Sequence, residues 1–169
     1  MKYHLLLKSI GRRWYHLKFI CAFIITFSIV WSSIQPVQAA TRTGHYILIK
    51  RSEQTLYYVK GKLLLKSFPV ATGRDASPTP SGRFTVVYKE ENRPFYKGNI
   101  AGGTLNNPLG TRWLGLNIHE TEGNTYGIHG TNQVGSIGMK VSAGCIRMKN
   151  ADVEWLYDHV AKGTLVIIQ

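Results

Sequence analysis

Two residues of this 169-residue chain carry the elements of nucleophilic chemistry. Cys145 sits in the small-residue run Ser142-Ala143-Gly144-Cys145-Ile146-Arg147-Met148, and His129 lies 16 positions earlier in Ile128-His129-Gly130. A thiol attacks well only as the thiolate, so a catalytic cysteine needs a base or a positive neighbour. His129 is the candidate base, and the intervening segment has Gly130, Gly135 and Gly138 to let the chain fold back. Gly144 permits close backbone approach to a substrate, and the Gly144 and Cys145 amides are candidates to face a developing oxyanion. The competing reading is that Cys145 is a small buried hydrophobe, as free cysteines often are.

The elements that must position these residues read as short strands. His45–Lys50, Thr55–Val59 and Leu63–Val70 are rich in β-branched, aromatic and leucine residues and are separated by tight polar turns, which predicts a meander. Residues 72–82 hold two Gly and two Pro and read as a loop. Phe84–Tyr88, Arg112–Ile118 and Tyr126–His129 read as further strands, with an irregular excursion over 90–110. One helix is expected, with Asn150 as its N-cap, Asp152 in the first turn, and Val153, Leu156, Tyr157 and Val160 at helical spacing. Gly163 would stop it, and Thr164–Ile168 would close the fold as a strand buried on both faces. The expectation is a mostly β domain with one substantial helix near the C-terminus.

The first 39 residues read differently. Lys2, Lys8, Arg12, Arg13 and Lys18 supply five positive charges with no acid. The apolar run Phe19–Trp31 follows, then a polar stretch ending Val37-Gln38-Ala39-Ala40. This is the layout of a secretory signal cut after Ala39, with an N-terminal membrane anchor as the alternative. Residues 40–169 are then one domain in an oxidising compartment. Cys21 falls in the leader, which leaves Cys145 without a disulfide partner. Without the five leader cations, sixteen Lys and Arg face nine acids, a net charge of +7. An exported chain with scattered cations suits an anionic cell-wall surface, and nucleic acid is not expected as a partner.

The blocks Ile128-His129-Gly130-Thr131 and Ser142-Ala143-Gly144-Cys145-Ile146-Arg147-Met148, with Asn150, resemble the catalytic signature of the L,D-transpeptidases, the YkuD-like domain. Thr72-Gly73, Thr79-Pro80-Ser81-Gly82-Arg83-Phe84, Asn107-Pro108-Leu109-Gly110 and Tyr126-Gly127 extend the resemblance over residues 45 to 169. Ala143 departs from it, since many members carry histidine there. The resemblance implies a mixed β-sandwich or barrel-like catalytic fold and an exported, envelope-located enzyme acting on peptidoglycan stem peptides. It implies Cys145 as nucleophile, His129 as general base and acid, and the Gly130 carbonyl as the group orienting His129. The acyl group then passes to an amine of another stem, a cross-link, or to water, which is L,D-carboxypeptidase action.

Arg147, Ser142 and Tyr126 are candidate substrate contacts. A guanidinium matches a carboxylate with two parallel bonds, and a structural ion pair is the alternative for Arg147. Trp113 and Tyr96 are cleft candidates that would equally serve a core. No cofactor or metal is expected. A zinc site from His119, His129 and Cys145 lacks any metal-binding spacing. Two further readings compete with acyl transfer. A wall cysteine peptidase would use the same two residues in hydrolysis, and a non-catalytic wall-binding module would have no need of a reactive thiol.

Overall fold

The computed structural model describes residues 44–169. The leader reading and Cys21 therefore lie outside the described residues. The strands are β1 His45–Lys50, β2 Thr55–Lys60, β3 Leu63–Pro69, β4 Thr72–Gly73, β5 Gly82–Glu91, β6 Arg112–Leu116, β7 Tyr126–His129, β8 Lys140–Ser142, β9 Ile146–Arg147 and β10 Leu165–Ile168. One α-helix, α1, spans Asn150–His159. Eight strands form a single sheet in the order β3-β2-β1-β10-β5-β6-β7-β9, while β4 and β8 pair separately. The sheet is mixed: β1 pairs parallel with β10 and β7 parallel with β9, and the remaining neighbours are antiparallel. The mostly β architecture with one helix is as the sequence led us to expect.

Alternation along the strands sets the core. Ile47 and Ile49 of β1, Leu114 and Leu116 of β6, and Val166 and Ile168 of β10 are fully or almost fully buried. Helix α1 lays Val153 and Leu156 onto this surface and packs over β6 and β7. Trp155 of α1 meets Tyr58 edge-on at 5.7 Å, and Tyr58 donates its hydroxyl to the His159 carbonyl at 2.9 Å. These contacts tie the helix to β2, far from the site it also supports.

Four local expectations change. The N-cap is Lys149, with extended φ and ψ and no side-chain cap bond; Asn150 is the first helical residue. Its side-chain oxygen lies instead against Gly110 and Gly130, 2.2 Å from where a Cβ on either would stand. Strand β10 is buried on one face only, since Leu165 and Ile167 stay half-exposed where the helix does not reach. The segment expected as loop over 72–82 begins with β4, which runs parallel to β8. Helix α1 ends at His159, and Gly163 (φ +89°) serves the turn into β10 by donating its N–H to the Val86 carbonyl at 2.8 Å.

Candidate active site

The sheet sets His129 and the segment after Cys145 on neighbouring strands by register. His129 pairs with Arg147 and Ile128 with Ile146 across the parallel β7–β9 contact. Side chains alternate along a strand. Ile128 and Ile146 are fully buried on the core face, so His129 and Arg147 share the opposite face, and Cys145 directly precedes β9. The Gly127 amide, also on β7, reaches the Cys145 thiol. The Met148 amide donates to the His129 carbonyl at 2.8 Å, which locks the end of this pairing.

Cys145 stands in a turn built by its neighbours. The Ser142 hydroxyl donates to the Cys145 carbonyl at 2.6 Å and accepts the Gly144 N–H at 3.1 Å. Gly144 has φ +117°, a region that side chains rarely adopt, and a Cβ there would lie 2.9 Å from the Tyr126 ring. The segment after β4 braces the turn from outside: Arg74 N–H donates to the Ser142 carbonyl at 3.0 Å and the Ser77 hydroxyl to the Ala143 carbonyl at 3.1 Å. That segment is itself closed by Thr79, fully buried, whose hydroxyl accepts the Gly73 N–H at 2.8 Å. The thiol donates a weak bond to the Thr125 carbonyl, 3.6 Å away.

His129 is 4% exposed. Its Nδ1 lies 2.6 Å from the Gly130 carbonyl. A carbonyl can only accept, so Nδ1 carries the hydrogen and Nε2 keeps the lone pair. The imidazole stacks on Trp113 at 5.3 Å and 19°, because Trp113 is its antiparallel register partner on β6. Trp113 is fixed in turn by its indole N–H, which donates to the Gly123 carbonyl at 2.7 Å. On Trp113 rests the Arg93 guanidinium, 4.8 Å from the ring.

Both the imidazole and the thiol are held neutral. Burial drives the His129 pKa down from 6.5 to about 4; the Gly130 carbonyl opposes this, the Arg147 charge adds to it, and the Leu109 carbonyl opposes it weakly. Burial pushes the Cys145 thiol up, against the Gly127 amide and the positive charges of Arg147 and Arg93.

The remaining sequence candidates fall in distinct places. Tyr126 is half-buried, touches the Gly144 turn, and meets His119 edge-on at 5.6 Å. His119 is exposed with a left-handed backbone. Arg147 bonds backbone-to-backbone with Ala71 in both directions at 2.9 Å, and its guanidinium donates to the Gln133 side-chain oxygen at 2.9 Å; it meets no carboxylate among the described residues. Ser142 is 2% exposed and spends its hydroxyl inside the turn, which sets it apart from a substrate contact. The Gly144 amide is likewise engaged by Ser142, and the Cys145 amide is not part of that turn's bonding. Among the described residues, no three His, Cys, Asp or Glu side chains converge to hold a metal.

Arg93 is the residue that sequence reasoning missed. It bonds to Glu90 at 2.8 Å and, at 3.4 Å, to the carbonyl of Asn124, the neighbour of Thr125. With Tyr88, Glu90, Tyr96, Glu122 and Asn124 it lines a cleft of about 280 Å³. Nothing in Asn92-Arg93-Pro94 marks it, because its importance comes from a tryptophan twenty residues away.

A curled, mostly β sheet thus carries a cysteine turn leading into the strand that pairs with a carbonyl-bound histidine. Residues 44–168 match the model of the L,D-transpeptidase catalytic domain, YkuD. The chain is 38% identical to YqjB of Bacillus subtilis, named an L,D-transpeptidase, over 89% of this chain and 84% of that one. It is 36% identical to the similarly named YkuD of the same bacterium, covering 73% of this chain and 65% of that one. Among solved structures, an L,D-transpeptidase of Mycobacterium smegmatis superimposes with a TM-score of 0.57 at 26% identity, over 75% of this chain and 58% of that one. An Enterococcus faecium L,D-transpeptidase gives 0.60 at 25%, over 75% and 50%. The chain belongs to the L,D-transpeptidase (YkuD) family.

Proposed function

We propose that this protein is an exported cysteine acyltransferase that cross-links peptidoglycan stem peptides. Cys145 is the nucleophile and His129 the base. The observation that carries the reading is the His129 Nδ1–Gly130 contact, which sets the tautomer and leaves Nε2 to accept the proton of Cys145, the residue just before the strand that pairs with His129.

In the first step Sγ bonds to the carbonyl carbon of the third stem residue as the thiol proton passes to His129. The bond to the terminal D-residue breaks, and His129 returns that proton to the departing amine. An amine of a second stem then attacks the thioester, its proton moves to His129, and Cys145 leaves as the thiol. The Cys145 amide is the oxyanion donor in this scheme. Ser142 holds the nucleophile turn, and Arg147 and Tyr126 border the path of the substrate. Hydrolysis of the same thioester by water is the competing outcome.

The test is to incubate the protein with disaccharide-tetrapeptide and follow both products and protein by mass spectrometry. A Cys145-dependent dimer lacking one terminal D-residue is the expected result. Tripeptide alone would replace cross-linking with carboxypeptidase action. Absence of both acyl adduct and product, from folded protein with a free thiol, would end the enzyme reading.

A further inference from the structure

The sheet edge opposite the active site has a composition that catalysis does not use. Strand β3 is the outermost strand, and its first three residues, Leu63, Leu64 and Leu65, are 63%, 53% and 42% exposed. Consecutive strand residues point to opposite faces, so an ordinary edge strand would hide at least one of them. Here both faces are bare, and helix α1 meets β3 further along, where Trp155 packs against Phe68 at 5.6 Å and under Lys66 at 4.2 Å. Lys60 and Lys62 flank the leucines on the exposed turn and Lys66 follows them; none of the three is in an ion pair among the described residues. Between Glu53 and Asp75 the sequence has Lys60, Lys62, Lys66 and Arg74 and no acid at all.

We infer that the β2–β3 hairpin tip docks the domain onto an anionic phospholipid surface. Charge alone would suit any polyanion, but a soluble polymer gives three leucines nowhere to go. A bilayer interface supplies anionic headgroups for the lysines and an apolar layer below for the leucines. A second copy of this chain is disfavoured, because pairing the same edges would bring two uncompensated lysine clusters together.

Chain connectivity points the same way. The Gly61 amide at the hairpin turn donates to the Gly44 carbonyl at 2.7 Å, and His45 pairs with Lys60. The chain therefore enters the domain beside this tip, thirteen residues after the apolar run Phe19–Trp31. The site strands β7 and β9 end the sheet on its other side. Seven inter-strand spacings separate β3 from β9, roughly 30 Å along the sheet. Docking through β3 leaves the β7–β9 edge of the sheet uncovered.

The experiment is vesicle flotation with residues 40–169, a compact unit that contains the whole described core. Vesicles of phosphatidylcholine with phosphatidylglycerol are compared with phosphatidylcholine alone, and soluble poly(glycerol phosphate) is added as competitor. Flotation only with the anionic vesicles, weakened by salt, is expected. The triple change L63S/L64S/L65S should lower partition more than about tenfold, and K60Q/K62Q about fivefold for each lysine. Both variants should keep the parental thermal transition, since the replaced side chains are exposed. If the folded parent fails to float, or the leucine variant floats equally well, the inference is wrong. A concentration-dependent dimer abolished by the leucine changes would also overturn it, in favour of self-association.

Discussion

Burying a neutral histidine makes the fold acid-sensitive, and the size of the effect follows from the site. His129 titrates near 6.5 in the unfolded chain and at about 4 in the native one. Between those values the unfolded state holds a proton that the native state does not, so stability falls as pH drops. The contribution is fully retained above 6.5 and fully lost below 4. A difference of 2.5 units at about 1.36 kcal/mol each amounts to roughly 3 kcal/mol. That is a large share of the 5–15 kcal/mol typical of a domain. The assay is urea denaturation of the wild type and His129→Gln at steps from pH 7.5 to 4. The glutamine variant starts from its own stability, but the wild type should lose about 3 kcal/mol more than it over that range. Parallel curves would refute the claim that burial, rather than the Gly130 carbonyl, decides the charge of His129.

Other consequences are as direct. Gly144→Ala forces a side chain into φ +117° and against Tyr126, at a cost of about 1–3 kcal/mol; iodoacetamide labelling of Cys145 should change rate alongside the loss of thermal stability. Ser142→Ala strands the Gly144 amide and frees the Cys145 carbonyl. It should cost about 1–3 kcal/mol in denaturant melts and lower turnover more than it alters substrate affinity. Trp113→Leu removes the platform under His129 and the indole bond to Gly123, so stability should fall by about 2–4 kcal/mol and the acid limb of the pH–rate profile should move. Gly110→Ala would collide with Asn150 and Gly130, and a stability loss measured by calorimetry should be partly relieved by Asn150→Ala in the same chain.

How much of this was legible in the sequence depends on whether the signal was local. Strands β1 and β2 and helix α1 declared themselves through the apolar spacing of Ile47 and Ile49, Leu56 and Tyr58, and Val153 and Leu156, because periodicity reports the buried face. Cys145 and His129 were linked by residue type, and the parallel β7–β9 register shows how the chain returns to the neighbouring strand after the fifteen residues between them. Asn150 misled for a physical reason. Asparagine before an apolar run is a good cap, yet here two glycines open a cradle for its oxygen one position further into the helix. Gly144 was read correctly as a site of backbone freedom, while the partner of its amide, Ser142, depended on a hydroxyl direction that no sequence encodes. Arg93 was invisible because its value lies in stacking on Trp113, a contact between an irregular segment and a strand.

The neutral state of both reactive groups bears on how the proposed reaction is triggered. A thiolate–imidazolium pair would need the positive surroundings to outweigh desolvation, and for both residues burial is the larger effect. Arg147 favours the thiolate but opposes the imidazolium, so its charge cannot stabilise the ion pair as a unit. Proton transfer on the proposed mechanism must therefore accompany attack, when charge moves from sulfur to the carbonyl oxygen and the Cys145 amide can meet it. A resting thiol of this kind is a poor target for oxidants, which react with the thiolate. If the protein works outside the cell as proposed, the burial that slows attack by the free thiol would also preserve Cys145 until substrate arrives.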